Sequence, residues 1–185
     1  MAIKHATASA FVFGRHGGTG EWRLGLITHP LFQRPMIPGG HVEPWETPPE
    51  AALREVREEA GLDVTLLRAP GAAVPDGMAA SPRLVDVPWW IMEQPLEGDN
   101  HLFEPHFHVD HLYVAVAPEA DEASQASQAA AAGEAGQAAP GPAHPFSWYG
   151  ATDLADLDMF EDTRMFAHAL FVAIDLLAAG LATSR

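Results

Sequence analysis

Residues 37–62 read IPGGHVEPWETPPEAALREVREEAGL, and the reading of this stretch decides the fold. Thr47 is a good N-cap, Pro48 suits the first helical position, and Glu50 follows the cap by three residues, which makes a capping box. Gly61 supplies a left-handed stop. The spacing therefore predicts a helix over Pro48–Ala60. At about 100° per residue, Leu53, Val56 and Ala60 share the face that packs on a sheet. Glu55, Glu58 and Glu59 share the opposite side, with only Ala51 and Ala52 beside them. Each like-charge pair at this spacing costs about 0.2–0.5 kcal/mol, and Arg54 and Arg57 on the flanks offset only part of it.

A run of acids is usually a solvated face. Two glycines change that balance. Gly39-Gly40 brings bare backbone close to its neighbours, and a backbone carbonyl there can join the carboxylates. Oxygen-only ligands suit a hard divalent cation, Mg2+ or Mn2+. A bound cation turns the repulsion into a binding site.

Outward from this stretch the chain reads as strands. His5–Phe13 and Trp22–Thr28 flank the glycine-rich turn GRHGGTGE and predict a hairpin. Asp63–Arg68, Val85–Met92, Phe107–Ala117 and Phe146–Tyr149 read as further strands, with Pro88 marking an edge or a bulge. Met165, Phe166, Leu170, Ile174 and Leu177 recur at helical spacing and predict an amphipathic closing helix over Glu161–Ala179. Glu119–Pro145 holds no Val, Ile, Leu, Met or aromatic residue. It cannot bury a face, so it reads as a solvated Ala/Gln/Gly/Pro-rich insert in one domain spanning 1–185. Strands, helix, strands, helix make a mixed sheet with helices packed on it.

The totals exclude whole classes. Among 185 residues there is no cysteine, which removes thiol nucleophiles, thiolate metal sites and disulfides. That suits a reducing compartment, and the chain is expected to be cytoplasmic. No apolar run is expected to reach the roughly 18 residues of a membrane span. Net charge is -15 with only 10 Lys and Arg, a surface that repels nucleic-acid backbones and anionic lipids.

Gly40, five residues, Glu46, seven residues, then Arg54-Glu55-Val56-Arg57-Glu58-Glu59-Ala60-Gly61-Leu62 resembles the Nudix box without departure from its pattern. The strand order and closing helix are also similar to that family, so the resemblance covers most of the chain outside the Ala-rich insert. It implies an α/β/α sandwich whose loop–helix–loop holds metal ions, and hydrolysis of a diphosphate linkage in a nucleoside diphosphate derivative. By the same resemblance Glu55, Glu58 and Glu59 are metal ligands and Gly39 gives its carbonyl. Gly40, Glu46 and Arg54 are structural supports of the box. The carboxylate that takes the proton from water is Glu59, Glu55 or an acid outside the box. Glu104, just before a strand, is the first candidate outside, with Glu93, Glu97 and Asp110 as rivals.

Arg23 and Arg34 are candidates to clamp a phosphate, with ordinary ion pairing as the equal alternative. Trp45, inside the box loop, is a candidate substrate contact, and packing is the equal alternative. Trp89 and Trp90 are adjacent, so on a strand they face opposite ways and at most one lines a pocket; the other packs in the core or on a second copy, which leaves a homodimer open. Trp148 reads as core. His101, His106, His108 and His111 cluster in HLFEPHFHVDH, and His106, His108 and Asp110 alternate onto one strand face. A transition-metal site is one reading. The favoured reading is of polar strand residues facing solvent or the cleft, because the box already accounts for metal.

Two rivals to a small-molecule diphosphate hydrolase stand. A non-catalytic Nudix-like sensor of nucleotides or sugars tends to lose box carboxylates, and here all are present. The isoprenoid diphosphate isomerase branch relies on a catalytic cysteine, which this chain lacks. The substrate stays open among nucleoside triphosphates, ADP-ribose and other nucleotide sugars, and dinucleoside polyphosphates.

Overall fold

In the computed structural model the described residues are 2–70, 84–99, 101–118 and 143–182. The strands are β1 (Lys4–Arg15), β2 (Trp22–Thr28), β3 (Pro35–Met36), β4 (Gly39–His41), β5 (Thr65–Leu66), β6 (Trp90–Leu96), β7 (His106–Val116) and β8 (Phe146–Tyr149). They form one mixed sheet with the main order β3-β2-β1-β7-β5, in which β4 also pairs with β1, β6 with β7 and β8 with β2. Only β1 and β7 run parallel among these pairs, aligned from Lys4 against Phe107 to Phe13 against Val116.

β1 lies between β2 and β7 with both faces covered, so its sequence ASAFVF is nearly continuous rather than alternating in polarity. Its residues still divide between the two faces. Ala8, Ala10 and Val12 pack under helix α1 (Pro48–Glu55) with Ala51, Ala52, Val56 and Ala60. Phe11 and Phe13 pack on the other face under helix α2 (Glu161–Ala182) with Ala167, Leu170 and Ile174. Alanine facing alanine lets α1 approach closely, whereas phenylalanines fill the wider gap to α2. The result is the α/β/α sandwich expected from the sequence.

Several details differ from the sequence reading. Ala51 and Ala52 face the sheet and are fully buried, not beside the acids. Ala52, Val56 and Ala60 lie on one i,i+4 row, so Ala52 belongs to the apolar stripe. The helix also changes type: Val56–Ala60 is a π turn, ended by Gly61 at φ 69°. The wider turn retards the helical phase. Glu59 is thereby brought round into a buried position while Glu58 stays exposed.

The strand expected over Val85–Met92 begins at Trp90 and runs to Leu96, which leaves Pro88 outside it and Pro95 within it. Pro95 is tolerated because, among the described residues, β6 pairs only with β7 and is an edge. Trp89 precedes the strand and escapes its alternation. Both Trp89 and Trp90 consequently join the core under α2, and Trp89 donates its Nε1–H to the Leu67 carbonyl at 3.1 Å. The strand expected over Asp63–Arg68 shortens to Thr65–Leu66.

In α2 the buried row is Ala167, Leu170 and Ile174, and Met165 is exposed. Phe166 and Leu177 flank the row. Asp175 on α2 accepts hydrogen bonds from Trp22 Nε1 at 2.9 Å and Arg15 Nη2 at 2.6 Å, which ties the helix to the hairpin. Contrary to the expectation from the sequence, one stretch, Glu161–Gly180, has the length and mean hydropathy (1.4) of a membrane span, with 17% of its apolar window buried. Most of the stretch expected to be a solvated insert lies outside the described residues. Its end does not fit that reading: Pro145 accepts a hydrogen bond from the Thr28 N–H, and residues 143–144 dock on the π turn.

Candidate active site

The site begins where β4 passes the C-terminal half of the box helix. Gly39 and Gly40 pair with Ser9 and Ala8 of β1. A Cβ on Gly40 would stand 2.3 Å from Glu55 Oε1, and one on Gly39 would stand 2.8 Å from the Ser9 Cα. The glycines thus leave a cradle that a methyl group would fill, with a carboxylate pressed against bare backbone.

Arg54 organises that carboxylate. Its Nε and Nη2 donate to Glu46 at 2.7–3.2 Å and its Nη2 also donates to the His41 carbonyl at 3.0 Å. Its Nη1 donates to Glu55 at 2.8 Å and to Glu58 at 3.0 Å. Glu46 in turn accepts the Glu43 N–H at 3.0 Å and closes the box loop. The Arg54 hydrogen bonds are the main cause that lowers the Glu46 pKa below its ordinary value.

Glu59 is placed separately. Its Oε2 accepts the Gly39 N–H at 2.9 Å, and its Oε1 lies 3.2 Å from His144 Nε2. The backbone N–H groups of Ala143 and His144 cap the carbonyls of Glu58 and Glu59. Burial pushes the Glu59 carboxyl up to about 7, against the Gly39 hydrogen bond, with Glu55 and Glu58 adding to the rise. Burial also raises Glu55, opposed by Arg54.

Glu55 and Glu59 thus meet the glycine pair, and Arg54 Nη1 joins Glu58 to Glu55. The donor set is all oxygen and lacks thiolate, so the residues fit a hard divalent cation. Such a cation would lower both the Glu55 and the Glu59 carboxyls back toward their ordinary value.

The other candidates sit as follows. Trp45 is 80% exposed in the box loop. Arg34 pairs with Asp158 at 3.2 Å. Arg23 pairs with Asp153 at 3.5 Å and Glu21 at 3.8 Å. Its β1 partner is Gly14, five positions beyond Ser9 and so roughly 17 Å along the strand. Glu104 is exposed in the connection before β7, and its backbone carbonyl meets His106 Nδ1 at 2.8 Å. Among the described residues nothing joins its side chain to the box. Glu93 pairs with Lys4, and Glu97 is exposed. Asp110 is buried, and its oxygens accept from Thr7 Oγ1 and Ser9 Oγ at 3.0–3.1 Å.

His144 was missed by the sequence reading because it lies at the end of a stretch with no apolar signal. The histidines of β7 were read as solvent- or cleft-facing, but the His106 side chain is fully buried and His108 is half-buried. Burial and their histidine neighbours push His41 down to about 4, and burial also lowers His108. Backbone and imidazole hydrogen bonds hold Asp99 well below the usual carboxylate range, despite its desolvation.

A family model described as NUDIX domain matches residues 4–154. Among solved structures, a NUDIX-family hydrolase from Clostridium perfringens is 21% identical at a TM-score of 0.60, covering 92% of this chain and 97% of that one. The NUDIX domain of Shewanella oneidensis NrtR, solved with ADP ribose, is 14% identical at 0.51, covering 90% and 85%. The Escherichia coli dihydroneopterin triphosphate pyrophosphohydrolase is 15% identical at 0.51, covering 92% and 98%. At these identities the likeness speaks to fold. No curated protein matches the chain.

Proposed function

The chain belongs to the NUDIX family, and from that premise we propose that it is a divalent-metal-dependent pyrophosphohydrolase that cleaves a diphosphate linkage in a nucleoside diphosphate derivative. The observation that carries this reading is that Glu55 and Glu59 meet Gly39-Gly40, both raised by burial, while Arg54 Nη1 joins Glu58 to Glu55. Mg2+ or Mn2+ bound there would screen the diphosphate and lower the pKa of bound water.

The chain's own residues supply position and proton transfer. Arg54 fixes Glu55 and Glu58 on one guanidinium nitrogen. We assign Glu59, whose Oε2 accepts the Gly39 N–H and whose Oε1 lies near His144, to accept the proton of the attacking water. Glu55 is the second candidate for this role and Glu104 the candidate outside the box. Trp45, exposed in the box loop, and the half-buried Arg34 are the residues we assign to substrate contact; Arg23 would serve only an extended substrate. A chain without cysteine suits a reducing compartment, and we assign it to the cytoplasm.

The test is a panel of nucleoside triphosphates, ADP-ribose, other nucleotide sugars and dinucleoside polyphosphates with Mg2+ or Mn2+, reading phosphate or pyrophosphate release. The panel includes a pteridine triphosphate because one structural neighbour hydrolyses such a compound. Metal-dependent release from at least one member is expected. Tight binding of a nucleotide with no release under either metal would instead favour a sensing module.

A further inference from the structure

We infer that His5, His41, His108 and Asp99 form a second metal site, distinct from the box, for one divalent transition metal of the imidazole-binding class, Zn2+ above all. Their ligand atoms all lie within 4.8 Å of one another. Three of the four are delivered by strand register. His5 of β1 is aligned with His108 of β7, and His41 of β4 is aligned with Thr7 of β1. Asp99 comes from the connection between β6 and β7.

The two sites lie on opposite faces of β4. The Gly40 position faces Glu55 on the α1 side. His41 follows it and so faces the other way, with Thr7 and Asp110.

The geometry around one oxygen atom makes the case. Asp99 Oδ1 accepts the N–H groups of His101 and Leu102, both at 2.7 Å, and this fixes the carboxylate. Its Oδ2 then faces three imidazole nitrogens: His108 Nε2 at 2.9 Å, His106 Nε2 at 3.2 Å and His41 Nε2 at 3.4 Å. The proton inventory does not satisfy this arrangement. The Glu104 carbonyl can only accept, so His106 donates its Nδ1–H there, and in a neutral ring the Nε2 is left bare. That bare nitrogen faces Asp99 Oδ2 and, at 3.3 Å, His108 Nε2. His41 Nε2 is buried and makes no hydrogen bond among the described residues.

His108 carries at most one proton on Nε2, too few to serve both Asp99 Oδ2 and His106 Nε2, and His41 Nε2 has no hydrogen-bond partner among the described residues; a cation in this desolvated pocket would satisfy the arrangement. Zinc binds histidine nitrogen at about 2.0–2.1 Å in a tetrahedron, so neighbouring ligand atoms lie about 3.3 Å apart. The separations of Asp99 Oδ2 from two of the proposed ligands, His108 at 2.9 Å and His41 at 3.4 Å, are already near that size. Three imidazoles and a carboxylate suit a transition metal rather than Mg2+. Four protein ligands close the site, so its role is structural: it pins the connection carrying Asp99 to the strands beside the box. The hydrogen bonds from residues 101 and 102 to Asp99 are the outer partners that such sites use to aim a ligand.

The test uses the full chain, stripped with a chelator and titrated with Zn2+ by calorimetry in excess Mg2+. The Glu58→Gln/Glu59→Gln double variant should still bind one equivalent of Zn2+. Asp99→Asn, and separately His5→Gln/His108→Gln, should lose at least about 100-fold in affinity, the upper end of what even outer-shell changes cost. Circular dichroism checks that these variants fold. If they do not, crystals of the wild-type chain grown with Zn2+ decide by anomalous scattering at the zinc edge, with a peak expected within bonding distance of His41 Nε2 and Asp99 Oδ2. Failure of the box double variant to bind, unchanged affinity in folded Asp99→Asn, or an anomalous peak only at the box carboxylates would each overturn the proposal. Loss of diphosphate hydrolysis alone would not bear on it.

Discussion

Oε1 of Glu55 occupies the space that a side chain on Gly40 would need: a Cβ there would stand 2.3 Å from it. The contact is with the far end of a side chain, which ordinarily yields. Here Arg54 Nη1 holds the same oxygen at 2.8 Å, so yielding breaks the arrangement of the site. Gly40→Ala should therefore fold but lose turnover by at least ~10-fold, since displacement by about 1 Å can cost 100-fold. Gly39→Ala meets the Ser9 backbone instead and should lose about 1–3 kcal/mol of stability. Urea unfolding and turnover measured on both variants check this, and two variants with the same profile would refute it.

Glu58 and Glu59 are neighbours in sequence but not in environment, one exposed on the helix and the other buried against Gly39. Glu58→Gln and Glu59→Gln should each reduce turnover by at least ~100-fold, the scale of losing a charge-stabilising group. Wild-type-like turnover in both would remove the metal assignment from these residues.

A carboxyl raised from 4.5 to about 7 carries a pH signature. Without metal, folded Glu59 holds a proton between roughly pH 4.5 and 7 that the unfolded chain has released. Its stabilising contribution is therefore complete below about 4.5 and is lost as pH rises through about 7, on the order of 1–3 kcal/mol. His29, His41 and His108 are lowered and act in the opposite direction, since their neutral burial is lost as pH falls below 6.5. The difference between wild type and Glu59→Gln isolates the carboxyl. In chelator, wild type should lose stability relative to the variant from pH 5 to 7.5, and Mg2+ should restore it in wild type only. Parallel stability curves would contradict the assignment.

The sequence carried the parts that are local. Thr47 and Glu50 announce the start of α1, and the Thr47 N–H does donate to Glu50 at 2.9 Å. FSWY is read as a strand to the residue. What it lacked were convergences and phase shifts. Positions 5, 41, 99 and 108 meet only through two strand registers and a connecting segment, none of which spacing reports. The π turn that buries Glu59 breaks the 100° rule used to expose it. Trp89 and Trp90 were assigned opposite faces by an alternation that begins one residue too late to include Trp89.

Arg54 offers the last prediction. It donates to Glu46, Glu55, Glu58 and the His41 carbonyl from three different nitrogens. A lysine ammonium is a single point of donation and cannot span those directions. Glu46 is buried enough that losing its partner leaves a carboxylate poorly solvated, and hydrogen bonds to charged groups are worth about 1.5–3 kcal/mol. Arg54→Lys should therefore resemble Arg54→Ala more than wild type: a loss of that order in urea unfolding, and turnover lower by at least ~10-fold as Glu55 leaves its place over Gly40. A Glu46→Gln partner completes a double-mutant cycle, and coupling of at least about 0.5 kcal/mol between positions 46 and 54 is expected for residues in one network. If Arg54→Lys keeps wild-type stability and turnover, charge alone is what the site requires of this residue, and the guanidinium geometry is incidental.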